Sequence, residues 1–559
     1  METALKIVSA LQKVFLDQEP LDCAGEPMLS GFQNEVLSFQ AAFFASAPSR
    51  VSRNFAELKV DSPIADQVRL RRVAHVPVHL TTFPDADSNY LRKKPGLFPD
   101  LLVDVSQTQL RILPDRWQSV WVDVEPDAST APGVYPIALT LLNEAGEALN
   151  SAATQVEILP GMLPPQTLRH TKWFHVDCLA HYYHEPVWTE RYWRIAENFI
   201  SVAVKRGINM ILTPIHTPSL DTAVGGERLT AQLVDIAFNE GQYTFGFEKL
   251  ERWVDMCKRC GVEYYEMSHL FTQWGARFTP NIMATVDGEY RRIFGWNVEA
   301  TSREYRTFLS AYLPALTSEL MRLGIAGCTY FHISDEPSAS HLEDYAAAKS
   351  IAAPYLEGFE IIDALSSVEF YKKGVLTKPI SPNDHIHDFI DAGVSGLWTY
   401  YCVAQYKDVS NLFIAQPSAR NRIFGVQLYK YGIEGILQWG YNFYNNENST
   451  CSVDPYAVTD ADGFVPGGDA FQVYPGADGM PQESLRLMVT QQALYDLRAL
   501  TWLEKLTDRA FVMELIEGGL PEPIRFDRYP QADGYLLDLR ARVNREIAAH
   551  LKNSLEDNS

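Results

Sequence analysis

The sequence predicts a multidomain β plus α/β chain: an N-terminal antiparallel β-sandwich, then a (β/α)8 TIM barrel, then a mostly helical C-terminal extension. Three observations carry this. Up to Pro164 short apolar runs alternate with turn residues and show almost no helical period. Beyond Pro164-Pro165 the pattern changes to strand then helix, repeated about eight times, which favours a parallel barrel. At 559 residues the chain exceeds what one hydrophobic core supports, so several units are expected, with boundaries at 1–165, 166–445 and 446–559.

In the first region the runs 35–44 and 119–124 read as strands, and 133–142 turns at Gly146 into a return strand towards Val156. In the second, 172–177 reads as a strand and 190–206 as a helix closed by Gly207. A strand at 208–215 and a hairpin-like insertion through Phe247 precede a helix at 248–260 and a strand at 262–270. After a loop rich in glycine and aromatics, a long helix at 302–323 leads into the strand 325–333. A helix at 341–356 and strands near 359–362, 379–382, 396–401 and 435–441 complete the alternation. No glycine-rich nucleotide fingerprint follows any strand, which disfavours a doubly wound sheet. The third region opens with turns and becomes helical at 484–505, 511–518 and 536–551.

Composition narrows the partners. With 48 Lys+Arg against 70 Asp+Glu the formal charge is −22, which repels nucleic acid and anionic membrane surfaces. No run approaches the roughly 20 apolar residues of a membrane span, and the N-terminus lacks an export-type apolar core. Seven irregularly spaced cysteines suit a reducing, cytoplasmic setting. The 28 Phe, 27 Tyr and 11 Trp exceed what a core requires, and flat rings suit sugar faces. A small glycan or glycoside is therefore the expected partner, with homo-oligomerisation left open.

Parallel barrels carry their chemistry where strands end at the carboxyl face, and the fourth strand here ends in Phe331-His332-Ile333-Ser334-Asp335-Glu336-Pro337. Asp335 shares the facing of Ile333, and Glu336, past the last ladder bond, can turn over the same mouth. Two such carboxyls raise each other's proton affinity, which suits a general acid. The structural alternative is that Ser334 or Asp335 caps the following helix. Trp398, Tyr400, Trp439 and Tyr441 fall near strand ends and read either as walls of a sugar subsite or as core, while Asn442 offers an amide to a hydroxyl. Asp177, which would close the first strand, reads either as a sugar ligand or as a cap or ion-pair partner. His216 and His269 read as satisfied structural histidines. Cys257 and Cys260 lack the further ligands of a zinc site, so no metal and no cofactor are expected.

The run His332-Ile333-Ser334-Asp335-Glu336-Pro337, the earlier Phe174-His175-Val176-Asp177-Cys178-Leu179-Ala180 and the later 431–442 with Tyr474-Pro475-Gly476 resemble glycoside hydrolase family 123 along nearly the whole chain. That resemblance implies a β-N-acetylgalactosaminidase-like enzyme built as a sandwich followed by a barrel. It implies a retaining reaction in which the sugar's own 2-acetamido oxygen attacks the anomeric carbon. Asp335 would orient the acetamido N–H, and Glu336 would protonate the leaving oxygen and then activate water. Two other readings stay open: a glycosidase of different sugar specificity on the same barrel, and a catalytically silent carbohydrate-binding protein.

Overall fold

The computed structural model describes residues 2–23, 29–46, 55–106, 110–127 and 129–556. Contacts divide the chain into two units: Met1–Gln166 with Asp408–Tyr431 and Gln482–Ser559, and Thr167–Lys407 with Gly432–Pro481. The first break, after Gln166, lies one residue past the expected boundary at 165, whereas the expected boundary at 445 falls inside the second unit. Residues 408–431, between the last two barrel strands, group with the first unit, and the expected extension is split near residue 481.

The first unit holds two five-stranded sheets. One runs in the order Thr3–Ser9, Leu37–Ala45, Gln118–Val124, Val68–Val78, Gly96–Asp104, and the other Leu29–Phe32, Ala148–Leu159, Gly133–Asn143, Phe55–Asp61, Leu110–Arg111. Alternation along each strand sends one set of side chains inward, so Ile7, Phe39 and Val122 meet Ile137, Leu139 and Val156 in a shared apolar core. Among the described residues every pairing of these sheets is antiparallel except that of Leu29–Phe32 with Ala148–Leu159, which is parallel and corrects the all-antiparallel expectation at one edge. The helices of the C-terminal segment, Leu485–Leu506, Arg509–Glu517 and Asp533–Glu556, bury Val489, Leu503, Val512 and Val543 in one cluster with Phe32, Leu159, Ile423 and Val426. That shared burial is why contacts assign these helices to the first unit. Within Gln491–Asp496, Asp496 is paired with Arg422 and Arg540.

The second unit is built on a closed barrel of eight strands: Arg169–Lys172, Met210–Thr213, Tyr264–Met267, Thr329–Phe331, Glu360–Ala364, Lys378–Pro382, Trp398–Tyr400 and Gly435–Gln438. Each pairs in parallel with the next, and the last pairs with the first. The segments between them carry α1 (Val176–Tyr182), α2 (Glu190–Lys205), α3 (Glu248–Cys260), α4 (Arg303–Arg322), α5 (Leu342–Ala352), α6 (Glu369–Lys372) and α7 (Ile386–Asp391). Helix α2 starts where the Thr189 hydroxyl accepts the Tyr192 N–H and buries Tyr192, Ile195, Ala196, Phe199 and Ala203, an i, i+3, i+4 stripe. Helix α3 stops at Gly261, whose left-handed φ of 89° a side chain would resist.

A second excursion, after the third strand, forms another hairpin, Ile282–Val286 with Glu289–Phe294, which joins the expected one (Asp235–Asn239, Gln242–Gly246) in a four-stranded sheet. This hairpin stands where the sequence predicts a loop, and Asp287-Gly288, with φ of 48° and 89°, is its turn pair. At the barrel's amino end Tyr330 packs at 5.5 Å from Trp398 and 6.2 Å from Tyr264. Gly435 makes room there, since a Cβ on it would lie 2.1 Å from the Trp398 ring. No described helix is long and apolar enough to cross a membrane.

Candidate active site

The fourth strand ends at Phe331, and its continuation runs beside the end of the third. The N–H groups of Leu270 and Phe271 donate to the carbonyls of His332 and Ile333, and that of Trp274 to Asp335, at 2.9–3.0 Å. Two successive residues of an extended strand would point to opposite faces. Glu336 breaks that rule with a left-handed φ of 42°, followed by Pro337, and its N–H donates to Ala364 of the next strand. The turn carries its carboxylate to the mouth, where the Tyr400 hydroxyl donates to Oε1 at 2.8 Å. The cap of the following helical turn is Ser338, while the Ser334 hydroxyl donates to the Thr272 carbonyl, so the pair is not a cap.

Asp335 is half-buried and Glu336 exposed, so protein crowds each carboxyl on one side while solvent reaches it on the other. The Asp335 carboxylate accepts no hydrogen bond from any described residue. Burial pushes its proton affinity far up, the charges of Glu336 and Asp221 push in the same direction, and His332 opposes them. Glu336 is raised by burial and by Asp384, and held back by the Tyr400 hydrogen bond. The two carboxyls therefore titrate as one unit that keeps a proton to higher pH than isolated acids would. Removing the donor in Tyr400→Phe is expected to raise the Glu336 proton affinity further. The basic limb of the kcat/KM profile should then move to higher pH; an unmoved limb would detach Tyr400 from the titrating group.

Beneath the pair lies a buried charge network. His332 has Nε2 2.6 Å from Glu266 and Nδ1 3.0 Å from Asp363. Glu266 also accepts from Thr171 and from the Trp173 ring N–H, and Asp363 from Tyr345 and the Ile333 N–H. Flanked by two carboxylates, the imidazole is pushed up to about 10 despite the opposing effect of burial, so it stays charged at neutral pH. The ladder thus ties the third, fourth and fifth strands together directly under Ser334, Asp335 and Glu336. His269, His332 and Asp363 offer donor atoms within 4.8 Å of one another, a spacing that a metal would suit. Both His332 nitrogens are already engaged by carboxylates, however, which leaves His269 as the one free donor of the three. The donor set fits a charge network better than a cation.

The remaining expected residues separate. Tyr400 lies at the pair. Trp398, two positions earlier on the same face, sits about 6–7 Å deeper along the strand and fills the amino end of the barrel, so it is corrected to core. Tyr441 is fully buried and its hydroxyl donates to the Phe199 carbonyl of α2, also core. Asn442 uses both ends of its amide on the backbone of His175, at 2.9 and 3.0 Å, and is a clamp rather than a sugar ligand. Trp439 keeps a solvent-facing edge of 9% and donates its ring N–H to Asp469 at 2.9 Å.

Asp177 does not end a strand. It sits in the first turn of α1, its two oxygens held by Arg228 at 2.7 and 2.8 Å, with both side chains nearly buried. The same guanidinium donates to Nδ1 of His175, whose Nε2 reaches the Trp439 carbonyl at 2.8 Å. His175 is pushed down to about 3, chiefly by burial and then by Arg228, and stays neutral. Asp177 is thus an ion-pair partner. His269 is not satisfied as expected: neither buried ring nitrogen has a hydrogen-bond partner among the described residues, and its ring stacks on His332 at 4.2 Å.

Sequence reasoning missed Glu266, Asp363, Arg228 and Asp221. It also missed Trp274, an exposed ring on left-handed backbone whose N–H holds Asp335. The clearest available signal was the reach of third-strand and fifth-strand acids, Glu266 and Asp363, to positions where an apolar residue would be expected.

A family model described as glycoside hydrolase 123, catalytic domain, matches residues 173–503. No curated protein matches the sequence. Among solved structures, that of a family 123 glycoside hydrolase from Clostridium perfringens, described for glycolipid glycan hydrolysis, aligns with a TM-score of 0.74 at 14% identity, covering 100% of this chain and 99% of that one. A GH10 xylanase with a bacterial Ig-like domain, from termite gut, aligns over 68% of this chain and 90% of its own at 12% identity, with a TM-score of only 0.32. The likeness to the Clostridium structure shows the shared fold. The family match spans more than half of the chain and includes the strand end that carries both carboxyls, and on that match this chain belongs to glycoside hydrolase family 123.

Proposed function

We propose that this glycosidase removes terminal β-linked N-acetylgalactosamine from glycans or glycosides with retention, through the substrate's 2-acetamido group, on a (β/α)8 TIM barrel. The observation that carries the reading is the pair itself: adjacent carboxyls brought to one mouth by the left-handed Glu336. A retaining enzyme that uses its own nucleophile needs a second carboxylate about 5 Å away across the scissile bond. Neighbours on one strand end are badly placed for that and well placed when the sugar supplies the attacking oxygen.

The charge distribution supports the roles. In the free site both carboxyls are pushed towards holding a proton, with the stronger upward push on Asp335. An acetamido N–H donating to Asp335 favours its ionised form and shifts the proton towards Glu336. Glu336 is then the acid at the leaving oxygen, and after aglycone departure the base that activates water. Asp335 holds the acetamido group for attack and stabilises the positive charge of the cyclised intermediate. No disulfide joins any of the cysteines among the described residues, which suits the proposed cytoplasmic setting.

The test compares 4-nitrophenyl 2-acetamido-2-deoxy-β-galactoside with the plain β-galactoside. Turnover of the first alone is expected, with inhibition by the thiazoline mimic of the intermediate. Comparable turnover of both would rule out substrate assistance.

A further inference from the structure

Among the described residues the one buried carboxylate oxygen without a hydrogen-bond partner is Oδ2 of Asp221, on the segment after the second barrel strand. Its backbone is fixed on three sides. The Leu220 carbonyl accepts from Arg228 at 3.1 Å, the Asp221 N–H donates to the Gln273 side chain at 2.8 Å, and Gln273 in turn donates to the Thr222 carbonyl at 2.8 Å. Gln273 immediately precedes Trp274, whose N–H holds the Asp335 carbonyl. Asp221 is therefore tethered beside the catalytic pair in a left-handed conformation, φ 53°, that a non-glycine residue adopts at some cost. Its carboxylate accepts no hydrogen bond and forms no ion pair among the described residues, and Oδ2 is buried with no partner. Arg228 has its fork on Asp177 and offers Asp221 only attraction through space.

Resting on the proposed glycosidase function, we infer that Asp221 is a third carboxylate of the cleft that accepts hydrogen bonds from hydroxyls of the sugar held by Asp335 and Glu336. It thereby selects substrates by hydroxyl pattern. An orphaned acceptor on a clamped, strained backbone costs stability in the free protein, and a polyhydroxylated ligand supplies the missing donors. Burial, reinforced by the charges of Glu336 and Asp177, pushes its carboxyl up to about 6, and donors on a sugar would favour the ionised form.

The experiment pairs Asp221→Ala with deoxy substrates. The full chain and the variant are assayed on 4-nitrophenyl 2-acetamido-2-deoxy-β-galactoside and on its 3-, 4- and 6-deoxy analogues, with thermal melting of each protein. Losing a hydrogen bond to a charged group is worth roughly ten- to a hundred-fold. Asp221→Ala is expected to raise KM by that order with kcat changed much less. At least one deoxy analogue, penalised in the native enzyme, should lose its penalty in the variant. The melting temperature should hold or rise, because no native contact of the carboxylate is lost.

An unchanged KM with intact discrimination among the analogues would overturn the assignment, as would a lower melting temperature with discrimination intact. A collapse of kcat with KM preserved and a fluorosugar adduct on Asp221 would make it a nucleophile instead. Calorimetric binding of free N-acetylgalactosamine and its deoxy forms reads the same contact without turnover. A native enzyme that binds these sugars through Asp221 but cleaves none of the glycosides would refute the proposed function and leave this contact standing.

Discussion

Glu336→Gln is expected to lower kcat/KM on substrates with poor leaving groups by about a hundred- to ten-thousand-fold, the range that a positioned general acid supplies. Aryl glycosides with good leaving groups should suffer less in the glycosylation step, because their departing oxygen needs little protonation. The amide keeps the shape of the acid and can still accept from Tyr400, so the loss isolates the proton. Asp335→Asn should fall by a similar order with every leaving group, since orienting and stabilising the acetamido group precedes any aglycone effect. The difference in leaving-group dependence separates the two roles. Substantial retained turnover in both variants would remove the pair from the mechanism.

The second large effect is on stability. His332→Gln leaves Glu266 and Asp363 facing each other without the cation between them, and breaking a buried pair from one side costs about 3–5 kcal/mol. The pH dependence has a definite sign. Because the folded-state value is raised to about 10 from an ordinary 6.5, the stabilisation is fully present below about pH 6.5 and is lost as pH rises through 10. Denaturant unfolding of the native chain and the variant should therefore differ most at and below pH 6.5 and converge towards pH 10. A constant gap across that range would mean that the imidazole is not the titrating partner. Activity should fall with stability, because Asp363 also holds the Ile333 N–H at the root of the catalytic turn.

Much of the architecture is local in origin and was readable. The helix at 248–260 was placed at its observed ends because an acidic first turn, a basic last turn and Gly261 are all written within 14 residues. The second hairpin was missed because the surrounding loop text outweighed its Asp287-Gly288 turn. Among the rings, Trp398 and Tyr400 share one face, and period alone cannot say which lies at the mouth and which at the floor. That depends on depth along a strand whose neighbours, Tyr330 and Gly435, are far away in sequence.

By itself the sequence determined the alternation of strands and helices, the adjacency of Asp335 and Glu336 at a strand end, and the family resemblance, because each is carried by residues next to one another. Only the tertiary structure decided that Asp177 is taken by Arg228, that Asn442 clamps His175, that His332 is charged between Glu266 and Asp363, and that the Asp221 carboxylate finds no partner among the described residues. The pairings among them join residues 31 to 267 positions apart, from His332 with Asp363 to Asn442 with His175. Charge and hydrogen bonding act over a few ångströms in space, and no local pattern records which distant side chain will arrive there.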